Sequence, residues 1–142
     1  MAPQFVVDNS VVLAWCFQNE ASVYADSVLD HLEQAGAVVP AIWPLEICNV
    51  LLAAEQEMHL TPTDSSRFIS LISDLPISVE QESPPRMQGE IFALARDRQL
   101  SSYEASYLDL AMRLGLPLAT VEERLRAAAG HCRVPILFES RV

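Results

Sequence analysis

The stretch FVVDNSVVLAW, residues 5–15, decides how the rest of the chain is read. Phe5-Val6-Val7 is a run of β-formers short enough to be a buried strand, and a second apolar run, Val11 to Phe17, follows almost at once. Between them stands Asp8. Strands that are apolar throughout, separated by helical patterns, point to a parallel sheet covered on both faces. Ligands of such sheets collect beyond the carboxyl ends of the strands, and Asp8 falls at such an end.

The alternation continues outward from that stretch. Further candidate strands are Ala37–Val39, Ile77–Val79, Leu116–Thr120 and Val134–Phe138. Between them apolar residues recur at helical spacing: Ala25, Val28, Leu29 and Leu32; Phe68, Leu71, Ile72 and Leu75; Met87, Ile91, Leu94 and Ala95; Tyr103, Tyr107, Leu110, Ala111 and Leu114. Pro44 suits the first turn of a helix starting near Trp43 and running toward His59, and Thr61-Pro62 and Pro84-Pro85 punctuate later segments.

With 142 residues, 51% of them hydrophobic and 20% charged, the chain is expected to form one domain, 1–142, with a real core. The start lacks a basic region, Asp8 interrupts its apolar run, and no apolar stretch approaches the roughly 20 residues that span a bilayer, so a cytoplasmic protein without a membrane partner is expected. Cys16, Cys48 and Cys132 are widely spaced and read as small buried apolar residues. His31, His59 and His131 form no cluster and read as surface or helix-end residues. Charge is distributed unevenly: residues 1–66 hold nine acids and no Lys or Arg, and all nine arginines lie at or beyond Arg67. The first half should therefore repel nucleic acid and could attract a basic protein, or simply be a solvated acidic surface.

Asp8 has company in apolar surroundings. Glu46 lies in WPLEICNVLLA, Glu104 and Asp109 in SSYEASYLDLAMRLGL, and Glu122 in PLATVEERLRAAA. Each also fits a plain structural role. Asp8-Asn9-Ser10 could cap a helix beginning near Val11, acids in first turns favour the helix dipole, and Ser101-x-x-Glu104 and Thr120-x-x-Glu123 both match the capping box. If Glu123 reaches back to Thr120, Glu122 points about 100° away and can face the sheet edge. Asp109, rotated about 140° from Glu104, is at most an outer support. Carboxylates gathered in a partly dry pocket repel and take up protons, a conflict that a divalent cation removes. Oxygen-only ligation suits Mg²⁺ or Mn²⁺, which can promote phosphodiester hydrolysis without a protein nucleophile.

Absent residues narrow the field. Without lysine there is no P-loop, no Schiff base and no lysine partner for a receiver-type phosphoaspartate. Four glycines, at 36, 89, 115 and 130, form no G-x-G-x-x-G fingerprint, no nucleophile elbow is present, and no organic cofactor is expected.

FVVDNSVVLAW, PLEICNVLLAA and LSSYEASYLDLAMRLGLPLATVEERLRAAA together resemble the PIN-domain ribonucleases, in particular the VapC toxins of bacterial type II toxin–antitoxin modules. The resemblance covers nearly the whole chain. It implies a PIN-like three-layer α/β sandwich, with a five-stranded, mainly parallel sheet flanked by helices on both faces. It also implies an Mg²⁺- or Mn²⁺-dependent endoribonuclease acting as a toxin, with RNA as substrate, a cognate antitoxin protein and a homodimer. Asp8 matches the family's first acid and Glu46 its second; Ser10 and Asn49 match supporting positions. Glu104 and Glu122 stand where the family typically has Asp, which adds a methylene at two of the four expected catalytic and metal positions. Thr120 and Asp109 are further supporting candidates, and Arg124 and Arg126, just beyond Glu122, are candidates for the RNA backbone, ahead of Arg96 and Arg98. Because of the two Asp-to-Glu departures, a PIN-like module kept for protein binding, with a site that no longer cuts, is the alternative.

Overall fold

Phe5, Val6 and Val7 are all fully buried, although successive strand residues point to opposite faces. The strand they form therefore has helices over both sides. This computed structural model describes residues 2–17 and 22–139. The first strand, β1 (Phe5–Val7), leads into α1 (Asn9–Cys16) and α2 (Val23–Ala35), then β2 (Ala37–Pro40), α3 (Trp43–Gln56), α4 (Pro62–Ser73) and β3 (Ile77–Glu80). A long helical stretch follows: α5 (Pro84–Arg86), a π-turn (Met87–Ile91) and α6 (Phe92–Arg98). The chain closes with α7 (Ser102–Leu114), β4 (Leu118–Ala119) and α8 (Glu123–His131).

The described strands form one parallel sheet in the order β3-β2-β1-β4. Val6 lies beside Val38 on one side and Leu118 on the other. Prolines start helices where the sequence places them, at Pro44, Pro62 and Pro84. Gly115, at φ 66°, ends α7 in the left-handed conformation and turns the chain into β4. The core runs from β1 and β2 through Val28, Leu32, Ile47, Leu51, Leu108 and Leu125. No described helix is long and apolar enough to cross a membrane.

Among the described residues the sheet has four strands, not five. Val134–Phe138 contributes one parallel bridge, Ile136 beside Leu118. Its hydrogen bonds run from Leu118 N–H to Pro135 O at 2.9 Å and from Leu137 N–H to Leu118 O at 2.9 Å. Pro135 has no N–H to extend the ladder, and positive φ at Arg133 (62°) and Phe138 (69°) turns the chain away on either side. Two smaller expectations also change. Cys48 is exposed rather than buried, and His31 is packed between aromatic rings, 5.7 Å from Phe5 and 5.2 Å from Phe138.

Candidate functional site

Strand order fixes where a site belongs. From β1 the chain moves to β2 and β3 on one side, then returns to place β4 on the other. That reversal opens a crevice beyond the carboxyl ends of β1 and β4, the usual ligand position in open α/β sheets. Asp8 follows β1 and Thr120 follows β4.

Asp8 is held there from both sides. Its N–H extends the sheet by one rung to Ala119 O at 3.0 Å, and its carbonyl accepts the first amide of α1, from Val11, at 3.1 Å. The side chain is only 6% exposed and accepts two hydroxyl hydrogen bonds on the same oxygen, Oδ2: Ser10 at 2.8 Å and Thr120 at 2.7 Å. With both protons spent on Asp8, the 3.3 Å approach of Ser10 to Thr120 carries no proton between them. The hydroxyls also accept: Val121 N–H donates to Ser10 at 3.1 Å and Glu122 N–H to Thr120 at 3.0 Å. Asp8 occupies the N-cap position of α1 but makes no side-chain capping bond. Burial pushes its carboxyl above the ordinary value, which the Thr120 and Ser10 bonds only partly offset.

Glu46 projects from the first turn of α3 and accepts the Tyr107 hydroxyl at 2.8 Å. Burial raises it, the Tyr107 bond pulls it back, and the charge on Asp8 pushes it up again. The Asp8 charge thus reaches Glu46, as the smallest of these three influences. Tyr107, 1% exposed, is raised far above its usual range by burial and by the Glu46 charge, so it is a permanent donor. Tyr107 reads in the sequence as an ordinary core position of α7. Its one visible signal is its place three residues after Glu104, one helical turn further into the core.

The other expected residues go elsewhere. Glu104 closes a complete capping box: its N–H donates to Ser101 Oγ at 3.0 Å, and its carboxylate accepts Ser101 N–H at 2.8 Å. The Thr120–Glu123 box does not form, because the Thr120 hydroxyl is engaged by Asp8 and Glu122 is the N-cap of α8. Glu122 is exposed on the rim, one residue beyond Val121. Asp109 faces Arg86, which grips it with bonds of 2.9 and 3.1 Å. Asn49 is exposed and lines a groove with Glu46, Leu45, Leu52 and Tyr103. Arg126 turns inward, donating to Thr120 O at 2.7 Å and to Glu139, with its guanidinium 4.8 Å from the Tyr24 ring. Arg124 is exposed and donates to Gln99 O. Among the described residues, no three His, Cys, Asp or Glu side chains are grouped to hold a metal ion.

The fold matches the crystal structure of PAE2754 from Pyrobaculum aerophilum with a TM-score of 0.69 at 24% identity, over 90% of this chain and 87% of that one. A likeness at that identity shows a shared fold. No protein-family model matches the chain, and no curated protein matches it.

Proposed function

We propose that the chain is a PIN-like, Mg²⁺- or Mn²⁺-dependent endoribonuclease, acting as the toxin of a toxin–antitoxin module. The observation that supports this reading is the buried Asp8 carboxylate at the β1/β4 crevice, electrostatically coupled to Glu46 and lacking a cationic partner among its hydrogen bonds. A buried carboxylate whose charge reaches a second, half-buried one invites a cation. All-oxygen donors suit Mg²⁺, which is commonly held by one or two carboxylates and completes its shell with waters and substrate phosphate. The donor set therefore fits the ion. Asp8, through Oδ1, and Glu46 would hold it. Bound there, such an ion polarises a phosphodiester and lowers the pKa of an attacking water.

The remaining residues act on those two. Ser10 and Thr120 fix Asp8 by its second oxygen, and Tyr107 fixes Glu46. Glu104 caps α7 and so sets the axis along which Tyr107 reaches Glu46. Glu122 stands at the open rim, where it can meet the ion through water. Of the two arginines just beyond Glu122, Arg124 is the exposed one and the candidate to meet an RNA backbone, since Arg126 is engaged internally.

A second reading, a PIN-like protein-binding module that no longer cuts, draws on Glu104, whose carboxylate is engaged in its own capping box. Under both readings the groove along α3, with Leu45 and Leu52 exposed in the lysine- and arginine-free half, suits a basic amphipathic antitoxin segment. Homodimerisation belongs to the same proposal. Incubating labelled single-stranded RNA with the chain and Mn²⁺, with and without chelator, separates the readings. Chelator-sensitive cleavage that Asp8→Asn abolishes supports the nuclease; intact RNA with a folded protein supports the binding module.

A further inference from the structure

A second recess lies beside the carboxylates, past the ends of β2 and β3. Its walls are Ile42, Met87 and Ile91 of the π-turn, and Leu110 of α7. Its volume is ≈ 180 Å³. A cavity of roughly 150 Å³ takes one benzene ring, so this one is sized for a single aromatic ring system. Helix irregularities of the π type are frequent at binding sites, and here the π-turn supplies one wall.

The polar edge of the recess is held in place by ion pairs. Glu82 and Asp109 are 12% and 13% exposed, and Arg86 holds both, Asp109 through two bonds and Glu82 at 2.9 Å. Arg113 leans on Glu82 at 3.4 Å and on Glu80 and Asp109 at 4.0 Å. Arg86 is spent on the two carboxylates, whereas Arg113 lines the recess and its 4.0 Å approaches are too long for hydrogen bonds, so it can still donate; each carboxylate retains lone pairs for a further donor. The recess presents carboxylate acceptors beside the Arg113 guanidinium to whatever enters. At its mouth Tyr103, 58% exposed, borders both this recess and the groove that contains Glu46.

We infer that this recess takes one unstacked base of the RNA strand whose phosphate lies at Asp8 and Glu46, with Tyr103 as the stacking surface and the Glu80–Glu82–Asp109 edge reading the base. The inference rests on the nuclease reading. Apolar walls and an aromatic mouth suit a flat ring, and base–aromatic stacking is the common device for splayed single-stranded RNA. An edge of acceptors selects bases that donate. Guanine presents N1–H and N2–H side by side, a fork that one carboxylate accepts, with O6 beside them for the Arg113 guanidinium, whereas uracil offers a single donor, N3–H, between two carbonyl oxygens. Guanine is therefore preferred over uracil.

Nucleosides test this without metal, phosphate or cleavage. Guanosine and uridine are titrated into the full chain while the methyl signals of Met87, Ile91 and Leu110 are followed by NMR. Guanosine should shift those methyls saturably and bind about tenfold more tightly than uridine, within the range of a bidentate base contact. Tyr103→Ala should weaken guanosine about tenfold, and Tyr103→Trp should retain it. Equal binding of the two nucleosides, shifts confined to other residues, or indifference to Tyr103→Ala overturns the inference. So does a recess that ignores guanosine but binds ethylguanidinium, which would mark it as a seat for a partner protein's arginine. Guanosine binding without RNA cleavage would leave the recess standing and remove the nuclease; cleavage dependent on Asp8 with no guanosine binding would do the reverse.

Discussion

Replacing Asp8 by Asn removes a charge from the core while keeping its shape. The amide oxygen can still accept Ser10 and Thr120, so no cavity opens and both hydroxyls keep their acceptor. What disappears is the cost of a carboxylate that is 6% exposed and has no cation bonded to it. Because burial holds its pKa above the ordinary 3.8, Asp8 stabilises the fold most when protonated, and that contribution is lost as pH rises through the raised value. Without divalent ions, the variant should therefore be more stable than the wild type at pH 7 by about 0.5–2 kcal/mol, the usual gain when a functional-site cost is removed. For a domain of this size that raises Tm by about 2–8 °C. Toward pH 4 the two curves should converge. Mg²⁺ should then reverse the order: at a hundred times its Kd it stabilises a binding protein by about 2.7 kcal/mol, and the variant gains little of this. Thermal melts at several pH values, with EDTA or Mg²⁺, read all of this at once. An ordinary N-cap aspartate, whose charge favours the helix, gives the opposite slope; a variant that loses stability as pH rises, or that Mg²⁺ stabilises as much as wild type, refutes the reasoning.

Tyr107→Phe removes the donor to Glu46 and should cost about 1–2 kcal/mol at pH 7 by denaturant melts; with that bond gone the Glu46 pKa climbs further, so the metal-free protein loses more stability between pH 4 and 7 than wild type does. Thr120→Val removes both the bond to Asp8 and the acceptor for Glu122 N–H, and should cost about 1–3 kcal/mol at pH 7 and less as pH falls and the raised pKa of Asp8 favours its protonated form. Glu104→Gln preserves the capping box and should change Mg²⁺ affinity less than about threefold by calorimetry, whereas Glu46→Gln should abolish it. Arg86→Met leaves Glu82 and Asp109 facing each other near the recess and should cost about 1–3 kcal/mol by chemical denaturation, with a partial recovery in high salt.

Where local patterns and burial agree, the sequence was enough. Phe5–Val7 and Ala37–Val39 are continuous apolar runs, and Ile77–Val79 sets two β-branched residues around Ser78 between helical segments; each became a central or flanking strand. The last segment was harder, since Val134–Phe138 has the composition of a strand while Pro135 and two left-handed residues reduce it to one bridge. At the site, Asp8 was legible from its place at a strand end and Ser10 from the family resemblance, whereas Thr120, read as a capping-box partner of Glu123, joins them because the sheet sets the ends of β1 and β4 side by side. Glu104 and Glu122 share the same sequence signal as Glu46, an acid beside a helix start. What separates them is tertiary: Glu46 meets Tyr107, while Glu104 bends back to its own helix. Arg124 and Arg126, two residues apart, lie about 200° apart around α8, so one is exposed and the other turns to Thr120 O and Tyr24. The i,i+4 spacing of Glu82 and Arg86 suits an ion pair, but nothing in the linear sequence announced that the same guanidinium would also hold Asp109.

Paramagnetic Mn²⁺ broadens the NMR signals of the nuclei nearest to it, and so locates its own binding position on the full chain. Substoichiometric Mn²⁺ should erase the amide signals of Asp8–Ser10, the first turn of α3 around Glu46, and Thr120–Glu122, and should leave them intact in Asp8→Asn. Broadening scattered over surface acids such as Glu33, Glu57 and Asp74, with the β1/β4 crevice untouched, would contradict the account.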